Sequence, residues 1–134
     1  MKILLDTNVL VSAFLSKGGN CHEILDHAAS AHELCVTPFI KTEFTNVLRN
    51  KFHLSETLIK ELLKFTTEFY IQGETSRSVS KSCRDSNDDQ VLADAVVNGV
   101  DAILTGDNDL LVLGSHKGIR ILSPKEYWQL GENS

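Results

Sequence analysis

The stretch Arg84-Asp85-Ser86-Asn87-Asp88-Asp89-Gln90-Val91-Leu92-Ala93-Asp94-Ala95-Val96-Val97-Asn98-Gly99-Val100-Asp101-Ala102-Ile103-Leu104-Thr105-Gly106-Asp107-Asn108-Asp109-Leu110-Leu111 decides how this chain folds. An acidic cluster opens a helix striped by Val91, Leu92, Ala95 and Val96, which stops at Asn98-Gly99. The short strand Ala102-Ile103-Leu104 follows and runs into a second acidic turn, Thr105 to Asp109. In a parallel sheet such a helix runs away from the carboxyl edge and the strand returns to it. The acids at the two ends of the unit then meet in space.

The same alternation extends toward the N-terminus. Lys2-Ile3-Leu4-Leu5 has the near-continuous apolar character of a strand buried on both faces, and it ends at Asp6. Asn8 is placed to cap a helix carrying Val9, Leu10, Ala13 and Phe14, which Gly18-Gly19 should stop. A second helix opens with Asn20 and Glu23 at capping-box spacing and buries Ile24, Leu25, Ala28 and Ala29. The second strand is Leu34-Cys35-Val36-Thr37, and Thr37-Pro38 starts a helix to about Asn50 with the stripe Ile40, Phe44, Val47 and Leu48. Glu43 falls on that inward side, where a charge needs a reason. Ser55-Glu56 opens a helix striped by Leu58, Ile59, Leu62 and Leu63, and a third strand is expected near Phe69-Tyr70-Ile71. Gly73 to Ser86 is polar and hydroxyl-rich, a loop of functional or mobile type carrying Arg77, Lys81 and Arg84. Past the acidic unit, Ile119-Arg120-Ile121-Leu122 is a fifth strand expected at the edge, and Ser123-Pro124-Lys125-Glu126 is a capping box for a final helix holding Tyr127 and Trp128.

A chain of 134 residues with 42% hydrophobic and 23% charged residues can bury roughly two thirds of its unfolded surface as one domain. The expected domain is 1–130, with 131–134 a disordered tail. Neither a signal-peptide core nor a transmembrane run is present, so no membrane association and a cytoplasmic location are expected. Cys21, Cys35 and Cys83 lack any pairing pattern and read as reduced thiols. The net charge of −5 disfavours a broad electrostatic grip on nucleic acid but is compatible with a nuclease, because an acidic metal pocket inflates the carboxylate count.

Strands alternating with helices imply a parallel sheet covered on both faces, with ligands at the carboxyl edge. Asp6 and Asp107 follow strands directly; Glu43 and Asp88 lie in early turns of helices that start from the same edge. Four converging carboxylates cannot all stay ionised without cations, and hard divalent ions such as Mg²⁺ or Mn²⁺ resolve the conflict. Phosphoryl transfer is the chemistry that uses such a cluster. No P-loop, nucleophile elbow, H-E-x-x-H or dinucleotide fingerprint competes with it.

Asp6-Thr7-Asn8 after the first strand, Glu43 in Thr-Glu-Phe-x-x-Val-Leu, Arg84-Asp85-x-x-Asp88-Asp89 and Thr105-Gly106-Asp107-x-Asp109-Leu110 together resemble a PIN domain over nearly the whole chain. The likeness is closest to single-domain prokaryotic toxins of toxin–antitoxin pairs. It implies a metal-dependent endoribonuclease with an α/β/α sandwich and a five-stranded parallel sheet of order 3-2-1-4-5. Asp6, Glu43, Asp88 and Asp107 match the family's acidic quartet, Asp109 an additional acid, and Thr105 a hydroxyl that supports the first aspartate. The same resemblance implies an RNA substrate, an antitoxin partner and a homodimer. On this reading Asp6, Asp88 and Asp107, with Asp109 as a further candidate, hold Mg²⁺ or Mn²⁺. Glu43 completes the site or orients water, and Asn8 and Asp85 support it.

Other readings stand beside these. Asp88 and Asp89 also suit a helix N-terminus, and counting back from Gly99 and Ala95 favours Asp88 as the ligand. Asp85-x-Asn87-x-Asp89 imitates a calcium loop, but Gln90 replaces the required glycine and Val96 the bidentate glutamate. Glu43 can instead face solvent or pair with Arg84, and one of Asp107 and Asp109 is expected to support the other. Asp94 and Asp101 read as solvated or structural, and the histidines carry no assigned chemistry. Arg77, Lys81, Arg84 and Lys117 are candidates to hold RNA phosphates, or solvated surface charge. Two alternatives differ in class: a silent PIN-like module that binds RNA or protein, and a receiver or phosphohydrolase with an aspartate nucleophile, which needs a lysine or threonine past a later strand, where the fourth strand offers Thr105 but no matching lysine.

Overall fold

The computed structural model describes residues 1–15, 20–81 and 83–132. Its sheet is built on β1 (Lys2–Leu5), which pairs in parallel with β2 (Glu33–Val36) on one side and β4 (Ala102–Leu104) on the other. β3 (Ile71–Gln72) continues the sheet beyond β2, and β6 (Ile119–Leu122) beyond β4. These five strands are parallel and in the expected order. A sixth, β5 (Ser115–His116), adds antiparallel to β6, so Ile119–Leu122 is not the edge and the sheet order is β3-β2-β1-β4-β6-β5. The turn between β5 and β6 requires left-handed backbone at Lys117 and Gly118, with φ of 50° and 81°.

Helices α1 (Thr7–Leu15) and α2 (Cys21–Ala31) connect β1 to β2; α3 (Pro38–Asn50) and α4 (Glu56–Phe69) connect β2 to β3. Helix α5 (Ser86–Val97) leads into β4, α6 (Asn108–Leu111) follows it, and α7 (Pro124–Glu132) closes the chain. Connections that leave β1 toward β2 and β3 and return toward β4 and β6 put helices on both faces when the crossovers are right-handed. Ile3, Leu4, Leu5, Cys35, Val36 and Ile103 are accordingly buried between the layers.

Several local expectations hold and others need correction. Thr37 caps α3 by accepting from the Ile40 N–H at 3.4 Å, and Ser123 and Glu126 form a reciprocal capping box at 3.1 and 3.2 Å. Asn20 stands before α2 without a side-chain cap bond, and α4 runs through Phe69, which moves β3 to Ile71–Gln72. Ala29 and Val96 are exposed, not core. The stop expected at Gly18-Gly19 lies outside the described residues. Gly131 and Glu132 belong to α7, while Asn133 and Ser134 lie outside the described residues. No helix of the described residues is long and apolar enough to cross a membrane.

The loop after β3 is pinned over its first half. Asn98 receives the Glu74 N–H at 2.8 Å and donates to the Glu74 carbonyl at 2.7 Å, Gln90 donates to the Ser76 carbonyl at 2.9 Å, and the Phe39 N–H donates to Thr75 Oγ1 at 2.9 Å. A side chain at Gly73 would place its Cβ 2.6 Å from Asn98 Oδ1 and 2.9 Å from Cys35 Sγ, so the close approach requires glycine.

Candidate functional site

Strand pairing continues one residue past β1 and β4. The Asp6 N–H donates to the Leu104 carbonyl at 3.0 Å, and the Thr105 N–H to the Leu122 carbonyl at 2.9 Å. The ladder therefore fixes Asp6 and Thr105 side by side at the carboxyl edge. Thr105 Oγ1 donates to Asp6 Oδ2 at 2.7 Å and accepts from the Asp107 N–H at 3.0 Å, so one hydroxyl ties the two aspartates together. Asp6 Oδ1 receives the Thr7 N–H at 2.8 Å, and Asn8 Nδ2 donates to Asp6 Oδ2 at 3.3 Å. Asn8 is not a cap: α1 begins at Thr7, and Asn8 Oδ1 instead receives the Gly106 N–H at 2.9 Å, clipping the turn after β4 to α1.

Helix α5 starts from this edge. Asp85 is its N-cap, accepting from the Asn87 N–H at 2.8 Å, and Asp88 follows in the first turn at 5% exposure. Asp107 caps α6 by accepting from the Asp109 N–H at 2.9 Å. One carboxylate oxygen from each of Asp88, Asp107 and Asp109 lies within 4.8 Å of the others. Asp6, Glu43, Asp85, Asp88 and Asp107 line one cleft of about 400 Å³ together with Thr7, Asn8 and Asn87. The structure thus brings together the whole sequence-derived quartet from β1, α3, α5 and β4.

The electrostatics follow from this crowding. Burial, then the hydrogen bond to and charge of Asp107, then Asp85 and Asp6, push the Asp88 carboxyl up to about 7. Burial raises Asp6 above the usual carboxylate range against the opposing bonds from Thr105, Thr7 and Asn8, with Asp107 adding to the rise. Glu43 is raised by burial as well; the Thr7 hydroxyl, donating to Glu43 Oε1 at 3.0 Å, opposes that rise while Asp6 and Asp85 add to it. Asp88 Oδ2 is buried and has no hydrogen-bond partner among the described residues. A buried carboxylate oxygen without a donor is a site for a proton or a cation. The set of oxygens at Asp88, Asp107 and Asp109 fits a hard divalent ion and offers no nitrogen or sulfur for a softer one.

Of the remaining expected residues, Asp109 and Arg84 lie beside the cluster and the other basic candidates do not line the cleft. Asp109 is bound by Arg84, whose guanidinium donates to Asp109 Oδ1 at 2.7 Å; Arg84 therefore pairs with Asp109 and not with Glu43. Lys117 sits on a separate groove lined also by Ser76, Ser78, Ser80 and Asp89, and does not line the cleft of the quartet. Arg77 and Lys81 are exposed on the loop before α5. Asp89, next to Asp88, turns to accept the Cys83 N–H at 2.8 Å. Thr7, Asn87 and Lys51 had no assigned role, yet all line the cleft. Lys51 had a signal: Glu43, Val47 and Lys51 recur every four residues, the spacing of one helix face, and all three line the site.

An open α/β/α sheet with carboxylates gathered at the ends of its central strands defines the class of domain. The chain belongs to the PIN domain family, whose profile matches residues 2–109. Similar solved structures include VapBC2 from Rickettsia felis bound to a DNA fragment from its promoter, with 11% identity over 92% of this chain and 98% of that one, at a TM-score of 0.67. FitAcB from Neisseria gonorrhoeae is 17% identical over the same shares, with a TM-score of 0.63. VapC20 of Mycobacterium tuberculosis, a Sarcin-Ricin loop cleaving toxin, is 12% identical over 88% of this chain and 98% of that one, at 0.59. At these identities the likeness is one of fold. No curated protein sequence matches the chain.

Proposed function

We propose that this protein is a Mg²⁺- or Mn²⁺-dependent endoribonuclease, the toxin of a toxin–antitoxin pair. The observation that carries the reading is the buried, unpartnered Asp88 Oδ2 within reach of Asp107, beside Asp6. Asp6, Asp88 and Asp107 would hold the ion. Bound there, a divalent cation supplies charge for the scissile phosphate and lowers the pKa of water.

The chain's own side chains prepare the rest of the chemistry. Thr105 and Asn8 hold Asp6 in a single orientation through Oδ2, and the Thr7 N–H holds Oδ1. Glu43 faces the same cleft with its carboxyl raised above the usual range, which suits a group that orients water or accepts its proton. The Thr7 hydroxyl fixes that carboxyl through Oε1. Phosphodiester hydrolysis of this kind leaves a 5′-phosphate and a 3′-hydroxyl. The likeness to VapBC2 and to VapC20, a Sarcin-Ricin loop cleaving toxin, supports an antitoxin partner and an RNA target.

Incubation of purified protein with structured RNA and Mn²⁺ tests this directly. Cleavage is expected with Mn²⁺, lost in EDTA and lost in Asp6→Asn. Activity that survives Asp6→Asn would sink the assignment.

A further inference from the structure

Arg84 and Asp109 lie at opposite ends of the acidic unit, 25 residues apart, and the fold joins them. The Arg84 guanidinium donates to Asp109 Oδ1 at 2.7 Å. Exposed ion pairs ordinarily contribute little, because two long side chains must be ordered to make them. Here the backbone on each side is already held. The Cys83 N–H is bound to Asp89, Asp85 caps α5, and the Asp109 N–H is bound to Asp107. The pair therefore has fixed attachment points at both ends, and Asp109 directs the arginine from one of them.

The arginine side chain is 88% exposed. Its fork carries five N–H donors, so the bond to Asp109 leaves others facing solvent at the rim of the acid cluster. A phosphodiester approaching this cluster meets carboxylates from every wall, and Lys51 is the one basic residue that lines the cleft among the described residues. A second fixed cation at the rim offsets that repulsion, and a guanidinium also matches phosphate oxygens in geometry. The donor to Asp109 is a fixed cation, which repels a metal ion there, whereas the donors to Asp6 and Asp107 are neutral N–H and O–H groups.

We infer that Asp109 is a positioning residue that anchors Arg84, and that Arg84 binds an RNA phosphate beside the carboxylate cluster. This rests on the ribonuclease reading. It removes Asp109 from the ligand set and gives the two acidic ends of the unit different tasks: Asp88 and Asp107 for the ion, Asp109 for the arginine.

The test measures ion and RNA binding separately. Mn²⁺ affinity is read by calorimetry, and RNA affinity by anisotropy of a fluorescein-labelled transfer RNA in Ca²⁺, for the wild type, Arg84→Gln, Arg84→Lys, Asp109→Asn, Asp107→Asn and the Arg84→Gln/Asp109→Asn double variant. Loss of one charge-assisted phosphate contact lowers RNA affinity about tenfold in Arg84→Gln, and loss of its anchor lowers it by a similar factor in Asp109→Asn. The double variant should be no weaker than either single one, and Arg84→Lys should restore only part. Mn²⁺ affinity should stay within about twofold in Asp109→Asn and fall at least about tenfold in Asp107→Asn. The inference is overturned if Asp109→Asn loses Mn²⁺ as Asp107→Asn does, or if it leaves RNA affinity unchanged, or if Arg84→Gln does. Unchanged Mn²⁺ affinity in Asp107→Asn would instead overturn the underlying site.

Discussion

Of the three buried aspartates of helix α5, Asp88 and Asp94, six residues apart, are opposites. Asp94 is fully buried with both oxygens engaged: Oδ2 accepts from the Thr37 hydroxyl at 2.8 Å, and Oδ1 from the Ser76 N–H and Gln90 Nε2, each at 2.8 Å. Asp88, almost as buried, has one oxygen without a donor, faces Asp107 and is pushed up to about 7. Burial alone therefore does not mark a site on this helix. A carboxylate whose acceptors are all satisfied ties together the cap of α3, the loop after β3 and α5; a carboxylate left short of donors among like charges favours a proton or a cation.

The largest expected effects break the comparison from each side. Asp88→Asn removes a charge proposed to hold the ion and should lower cleavage about 10³-fold, the rate equivalent of several kcal/mol of charge stabilisation. Its thermal stability in EDTA should equal or exceed the wild type, because a repelled carboxylate has gone. Asp94→Ala should do the reverse, leaving the donors of Thr37, Ser76 and Gln90 unmatched and destabilising the fold by about 3 kcal/mol or more. Urea denaturation of both variants beside a cleavage assay checks the pair. Equal loss of stability in the two would erase the distinction.

The cation should act on the same contrast in solution. Asp6, Glu43 and Asp88 all titrate above their ordinary values when folded, so the folded state binds protons that the unfolded chain has released. Their contribution is fully present below the ordinary carboxylate pKa and is lost as pH rises, for Asp88 through about 7. In EDTA the melting temperature should fall between pH 5 and 7.5. An ion at a hundredfold over its Kd adds about 2.7 kcal/mol, on the order of 10 °C for a chain of this size, and should flatten that fall. Scanning calorimetry across pH, with and without Mn²⁺, measures it; curves that coincide would contradict the site.

What could be read from the sequence follows the same physical division. Strands β1, β2, β4 and β6 and the quartet were legible because apolar runs ending in an acid, caps and helical spacing are local signals. The two-residue β5 carries no such signal, and β3, expected near Phe69-Tyr70-Ile71, shares only Ile71 with that run, since pairing with a neighbour defines both. Helix α5 shows the limit: its spacing predicts a stripe that includes Val96, yet Val96 is exposed and Asp94 buried, because the loop from Gly73 to Ser76 packs on that side of the helix. Spacing within a helix does not reveal which distant segment will cover it. The Arg84–Asp109 pair was hidden for the same reason, each partner being visible and the contact not.

The finest test lies between neighbours. Asp88 and Asp89 follow one another at the start of α5, are equally buried, and could not be fully separated from sequence. The structure divides them by direction: Asp88 faces the cleft, and Asp89 Oδ1 accepts the Cys83 N–H, fixing the approach to the helix. A carboxamide retains that acceptor oxygen, so Asp89→Asn keeps the bond in weakened, uncharged form. The expected loss is about 1 kcal/mol of stability and less than about threefold in cleavage, because the carboxylates of the cleft are untouched. Measured beside Asp88→Asn under the same Mn²⁺ conditions, the two variants should differ by at least about a hundredfold in rate. An Asp89→Asn enzyme as inactive as Asp88→Asn would mean that the acidic start of α5 works as a unit, and that orientation does not separate ligand from support there.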